Sequence, residues 1–366
     1  MKLKDILSRF EARLPLAWQE SWDCSGLLLG SSEQNVTNIL FAYEVCLEVI
    51  DAAVKKRCQL IITHHPFRMK ASVAIPTNTY EGRLIQACLK HDIALYSAHT
   101  NHDSSSDSLN NFYLAKLGIK SIKPIAPIKT PLYKLVVMTP TAHSEKVLSA
   151  LFANGAGSIG NYSECSFRAA GTGTFKGNTQ SHPAIGKKNV REAVAEDKIE
   201  VLVSGENLNT AISILLKTHP YEEVAYDVLS LQNQRTDLGL GAWGVHAQGF
   251  APKELVSKLK TLFKIDSLRW VGSKSKTLKS IGICTGSGTS LLPQAFSLGL
   301  DAFITGDVKY HQAIEAKRHD LALADIGHFA SEREAHHILL AITKTAFGSA
   351  LAYHKYDSLK DPFEVL

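Results

Sequence analysis

Two adjacent histidines, His64 and His65, close the run Gln59-Leu60-Ile61-Ile62-Thr63 and precede Pro66. An apolar run this short reads as a buried strand. Residues just past the C-terminal end of such a strand face the crevice where open α/β sheets bind ligands. Two imidazoles there could ligate one metal ion or two adjacent ions; they could equally be partly buried, hydrogen-bonded histidines. A second strand end carries Ser97-Ala98-His99-Thr100-Asn101-His102-Asp103. Successive strand ends of a parallel sheet lie along one edge, so Asp103 can approach the histidine pair, and its two oxygens can bridge two ions. Its other use is to cap the following helix. A third end, Ala324-Asp325-Ile326-Gly327, leads into His328 and Glu332. Four residues apart at a helix start, these two project on one face. Glu332 would also suit the helix dipole there with no metal involved. His336 continues that face and His337 points elsewhere; both read more readily as structural.

Two further strand ends are polar. Gly286-Ser287-Gly288-Thr289 follows the strand containing Cys284 and offers backbone N–H groups to an anion, although it lacks the Gly-Lys-Ser/Thr of a phosphate loop and also fits a plain tight turn. After Thr305, Asp307 suits a helix cap, while Lys309 and His311 could reach a cleft. Metal-competent or anion-competent groups after five separate strand ends are more than chance readily supplies.

The elements that must position these groups alternate. Leu3, Ile6, Leu7, Phe10 and Leu14 follow helical spacing. Strands are expected over 38–43, 60–63 and 93–97, and helices over 47–56, 81–90 and 104–117, the last capped by serines. This βα rhythm implies a mostly parallel sheet covered by helices. Three prolines within 121–131 read as a linker. Beyond it, a strand, a helix over 143–152, a Gly-rich middle of short strands and turns over 154–177, a strand over 200–204, a helix over 208–217 and a strand over 222–229 resemble a ferredoxin-like α+β unit. Dense glycines over 239–244 mark a second junction, after which α/β alternation resumes, ending in a helix over 331–345. The expected division is 1–125, 126–236 and 237–366, with an α+β unit inserted into a two-part α/β fold.

Composition sets the class. The chain has 366 residues, 45% hydrophobic and 20% charged, typical of a globular protein with a sizeable core. Forty basic residues against 35 acidic give a net charge of +5, which argues only weakly for nucleic acid. The Lys274–Lys279 stretch reads as a solvated loop. Six scattered cysteines form no Cys-x-x-Cys, so a structural zinc site of that kind is not expected, and reduced thiols of a cytosolic protein are. No signal peptide or 18-residue apolar span is evident, so the expected location is the cytoplasm with no membrane contact.

Together these stretches resemble the NIF-three-like dinuclear metal proteins, the GTP cyclohydrolase 1 type 2 homologues. The matching pieces are Thr63-His64-His65-Pro66, Ala98–Asp103, Gly286-Ser287-Gly288, Ile304–His311 and Gly327–Glu332. The middle, with His219-Pro220-Tyr221-Glu222-Glu223, is similar to the inserted domain of the longer bacterial members. The resemblance implies a two-part NIF-three-like α/β fold with that insert, assembled as a ring-shaped homohexamer. It implies that His64, His65, Asp103, His328 and Glu332 ligate two divalent ions per chain, with Asp103 or Glu332 as the bridge. Nitrogen and oxygen donors suit zinc, manganese or iron without choosing among them. The chain departs from the family at His102, where a leucine is usual, and at Ala242, where an arginine is usual.

The resemblance implies a metal-dependent hydrolase that uses metal-activated water on a small, nucleotide-like substrate. His99 or His311 is then the expected proton shuttle, and Lys309 and the 286–289 turn are expected phosphate contacts. The alternative is a non-enzymatic metal-handling or regulatory protein.

Overall fold

Short apolar runs closed by a polar residue make the central parallel strands of the first unit. The computed structural model describes residues 1–68, 74–160, 162–272 and 276–364, so Lys274 and Ser275 of the expected loop lie outside the described residues. The chain divides into two compact units, Met1–Ile128 with Thr236–Leu366, and Lys129–Arg235.

The first unit opens with α1 (Leu3–Arg13), which buries Leu3, Ile6, Leu7 and Phe10 on one face. Strands β1 (Gly26–Leu29), β2 (Asn38–Ala42), β3 (Leu60–Thr63) and β4 (Ala94–Ser97) follow, with α2 (Leu47–Lys55) and α3 (Tyr80–Lys90) as the crossovers after β2 and β3. β2, β3 and β4 pair in parallel, and β1 lies antiparallel against β4. Every residue of β3 and β4 is buried, as expected of parallel strands covered on both faces.

The single helix expected over 104–117 is instead two, α4 (Thr100–Asp103) and α5 (Leu109–Lys116). The intervening serines compete with the helix for backbone groups. Ser105 Oγ donates to His102 O at 2.7 Å, and Ser108, rather than Ser104, caps α5 by accepting from Asn111 N. Nor are Pro124 and Pro127 in a linker. They lie in β5 (Lys120–Pro127), an edge strand, where a missing N–H costs no ladder bond on the open side.

The second unit runs β6 (Pro131–Pro140), α6 (Ser144–Phe152), β7 (Ser166–Lys176), β8 (Arg191–Ser204), α7 (Leu208–Thr218) and β9 (Tyr226–Gln234). Its antiparallel sheet has the order β7-β8-β6-β9, and Leu135, Val137, Ile199 and Val201 pack against Val147, Leu151 and Leu215. Where short strands and turns were expected, Ser166–Lys176 is one 11-residue strand paired with β8 along its length. Gly173 serves packing: a Cβ there would stand 1.8 Å from Glu196 Oε2.

Back in the first unit, the glycines over 239–244 are not a junction but the first half of β10 (Gly239–Phe250). Then come α8 (Pro252–Phe263), β11 (Arg269–Val271), β12 (Leu278–Ile283), α9 (Leu292–Ser297), β13 (Ala302–Thr305), α10 (Tyr310–Arg318), β14 (Ala322–Asp325), α11 (His328–Glu332), α12 (Ala335–Phe347) and β15 (Ala352–Lys355). The helix expected over 331–345 is thus broken after Glu332. The break leaves Glu332 in a turn of its own while α12 buries Leu339 and Phe347 in the core shared with α1.

The two sheets of this unit share a plan. One has the order β1-β4-β3-β2-β15 and the other β11-β14-β13-β12-β10-β5. A run of parallel strands, β4-β3-β2-β15 in the first and β14-β13-β12 in the second, is flanked by an antiparallel strand, β1 or β11. Among the described residues, no helix is long and apolar enough to cross a membrane.

Candidate metal centre

The register of β3 and β4 does the first positioning. Thr63 pairs with Ser97, so His64 and His65 leave the sheet beside the segment Ala98–Asp103. The amides of His64 and His65 both donate to Tyr43 O at 3.1 Å, which holds the turn. His64 is fully buried, and its Nδ1 donates to Ala98 O at 3.1 Å. That bond places the proton on Nδ1 and leaves the Nε2 lone pair facing Asp103 Oδ1 at 3.8 Å and Glu332 Oε1 at 3.7 Å. At these separations the carboxylates are charged neighbours rather than hydrogen-bond partners.

The other sheet supplies the remaining groups. β14 ends at Asp325 and α11 starts at His328. His328 Nδ1 meets Asp307 Oδ2 at 2.7 Å, which turns Nε2 inward to 3.0 Å from Glu332 Oε2. His65 Nε2 lies 3.0 Å from the same oxygen, and Tyr43 OH donates to it at 3.0 Å. Behind the carboxylate stands Gly286, at φ +68°, where a Cβ would come within 2.1 Å of Glu332 Oε1. Both the backbone conformation and the space therefore demand glycine.

The electrostatics are those of charge gathered in a dry place. Burial pushes Glu332 toward its neutral form, but His328, His64 and His65 around it outweigh burial and hold it well below the usual carboxylate range. Asp103 goes the other way: burial and then the charges of Glu332 and Asp23 push its carboxyl well up. Burial lowers His64 to about 4. His328 rises to about 9, chiefly through Glu332, against burial and with help from Asp307. Only one of the two carboxylates can comfortably be charged without added positive charge.

Two atoms turned into this cluster, His64 Nε2 and Asp103 Oδ1, are buried without a hydrogen-bond partner. Orphaned buried polar atoms are costly and call for an explanation. Ligand atoms of His65, His328 and Glu332 lie within 4.8 Å of one another, as do those of His64, His102 and Asp103, and those of His64, His65 and His99. Imidazole and carboxylate donors whose outer nitrogens are held by a carbonyl or a carboxylate suit zinc, manganese or iron. The residues present fit a divalent cation.

Other expected groups fare differently. His99 Nδ1 meets Asp23 Oδ1 at 2.9 Å, and its ring centre is 5.2 Å from that of His64 and 5.3 Å from that of His65. His311 is exposed on α10 against Tyr310 and belongs to none of these clusters among the described residues. His336 and His337 both meet Asp357 Oδ1 at 2.8 Å instead. The 286–289 turn is less open to an anion than expected, because Gly286 N donates to Ser331 Oγ and Gly288 N to Thr305 Oγ1. Asp103 does not cap a helix; Ser108 caps α5.

Sequence reading missed Asp23 and Tyr43. Burial disfavours the charged form of Asp23, but His99 and the two bonds from Thr100 more than offset it and hold the carboxyl well below its usual range. Its position follows from the antiparallel pairing of Gly26 with Ser97, which sets the residues before β1 beside those after β4. The polar run Asp23-Cys24-Ser25 ahead of an apolar strand was the available signal.

A family model for DUF34/NIF3, NGG1p interacting factor 3, matches residues 1–362. The chain belongs to the DUF34/NIF3 family. Relatives named GTP cyclohydrolase 1 type 2 homolog include one from Halalkalibacterium halodurans, 37% identical over 324 residues, 88% of this chain and 87% of the relative. One from Bacillus subtilis is 34% identical over 330 residues, covering 90% and 88%. Among solved structures, a Bacillus cereus protein related to NIF3 superposes with a TM-score of 0.88 at 31% identity, covering all of this chain and 99% of its own. A Staphylococcus aureus protein does so at 0.75 and 28%, covering 100% and 99%. The mixed α/β architecture with several sheets is that of these family members.

Proposed function

We propose that His64, His65, Asp103, His328 and Glu332 hold two divalent metal ions, and that this DUF34/NIF3 protein is a metal-dependent hydrolase of a small, nucleotide-like molecule. The observation that carries the proposal is the convergence of two partnerless buried atoms, His64 Nε2 and Asp103 Oδ1, with His65 Nε2 and His328 Nε2 around the Glu332 carboxylate. The name GTP cyclohydrolase 1 type 2 homolog borne by relatives supports the substrate class.

Bound divalent ions would supply Lewis acidity and an activated water at neutral pH. The chain's own residues do the rest. Glu332 is approached from both sides, by His64 on Oε1 and by His65 and His328 on Oε2, which suits it to span two ions. Tyr43 and Gly286 fix its orientation. His99 donates through Nδ1 to Asp23, so its Nε2 is the atom free to take or return a proton beside His64 and His65. The edge of Trp22, 6.0 Å away centre to centre, steadies the ring. The family resemblance extends the proposal to a homohexamer, whose mass in sedimentation would be about six times 40.0 kDa.

The test pairs metal analysis of the native protein with an unbiased metabolite-turnover screen of wild type and Asp103→Ala. The expected result is about two ions per wild-type chain and a turnover that the substitution abolishes. Loss of metal in the variant with no turnover in either protein would refute the hydrolase and favour metal handling.

A further inference from the structure

His102 has no part in the five-residue set, yet it is completely buried beside Asp103. Its Nε2 lies 3.2 Å from Asp107 O. A carbonyl only accepts, so the proton is on Nε2 and Nδ1 presents a lone pair. That Nδ1 is buried and has no partner. The neighbouring groups are in the same condition: His64 Nε2 and Asp103 Oδ1 are also buried and unpaired. Each of the three residues brings a ligand atom within 4.8 Å of the others, and the His64 and His102 rings stand edge to face with centres 5.8 Å apart.

Three potential ligand atoms thus stand together in a dry pocket, and none of them finds a hydrogen-bond partner. A purely structural histidine would find a donor for its second nitrogen, whereas His102 repeats the pattern of His64, one ring nitrogen on a backbone carbonyl and the other bare. The composition of the groups points the same way. His65, His328 and Glu332 already make one set of two imidazoles and a carboxylate. Without His102, the opposite set is only His64 and Asp103.

We propose that His102 is a metal ligand through Nδ1, completing with His64 and Asp103 a second set of two imidazoles and one carboxylate. This rests on the reading of the cluster as a two-metal centre and goes beyond its five residues. With His102 each ion has two imidazoles, and Glu332, which suits both, is joined by Asp103 on the second, so the two ions load with comparable affinity.

Cobalt(II) titration of metal-free protein, followed by visible absorption and by metal analysis, tests this with three proteins: wild type, His102→Leu and His65→Ala. The wild type is expected to take up two ions of similar affinity. His102→Leu should keep one at wild-type affinity and bind the other at least about 10-fold more weakly, with altered absorption bands for that ion. His65→Ala should weaken the opposite ion. Unchanged binding of both ions by His102→Leu, while His65→Ala weakens one, would overturn the role of His102 and leave the metal centre standing. No binding by the wild type would overturn both. A zinc-soaked crystal of the wild type gives a readout independent of any variant's folding. His102 Nδ1 is expected about 2.0–2.1 Å from an ion, and an Nδ1 turned away from both ions would refute the proposal.

Discussion

Glu332 receives Tyr43, His65 and His328 on one oxygen and faces His64 with the other, so its removal acts on metal and protein together. Glu332→Gln should lower divalent-metal affinity at least about 100-fold in competition titrations with a chelating dye, because an amide cannot serve two ions as a carboxylate does. Gly286→Ala tests the same carboxylate from behind. The methyl group would meet Oε1 at 2.1 Å on a backbone at φ +68°, so a loss of roughly 1–3 kcal/mol in denaturant unfolding is expected, with weakened metal binding. Asp23 offers a pH signature. Its folded-state pKa is depressed, so its contribution to stability is present above about pH 4 and drains away as pH falls below that. The stability gap between wild type and Asp23→Asn should therefore be constant near neutrality and shrink in acid melts. His64 and His65 were legible in the sequence because a run as short and apolar as Leu60–Thr63 has few other uses. Asp23 was not, because its place depends on pairing with residues some 75 positions away.

At the level of elements, the strands that carry the ligands are four residues long and wholly buried, so they tolerate little loss of packing. Phe303 on β13 is among the largest fully buried side chains. Phe303→Ala should cost about 3–5 kcal/mol in chemical denaturation. It should weaken metal binding only through unfolding, since the residue belongs to an apolar cluster with Ile125, Leu292 and Leu321. The parallel strands were readable from continuous apolar runs alternating with helical spacing. The edges were not. Pro124 and Pro127 look like chain breakers, yet they sit in β5 because an edge strand can leave one row of amides unused. The glycines of β10 look like a hinge, yet they pair with both β5 and β12. Local composition records what a backbone can do, whereas pairing partners decide what it does. The same holds for α11, whose five residues end where Glu332 must turn inward.

Across the whole molecule, one of the two compact units carries every group of the candidate centre. A bound ion stabilises only the state that holds it, by about 2.7 kcal/mol at 100 times its dissociation constant. Calorimetry with and without a chelator should shift the transition of the unit formed by residues 1–128 and 236–366 and leave that of 129–235 in place. Equal shifts in both would count against a centre confined to the first unit. The cluster also joins groups far apart along the chain: His65 meets Glu332 across 267 positions. At a synthesis rate of about 5–20 residues per second, roughly 15–50 s separate the making of the histidine pair from the making of its carboxylate. A chain still on the ribosome thus carries the histidine pair and Asp103 well before Glu332, the carboxylate that faces both. A divalent ion that needs the full set would therefore be taken up only once Glu332 is in place.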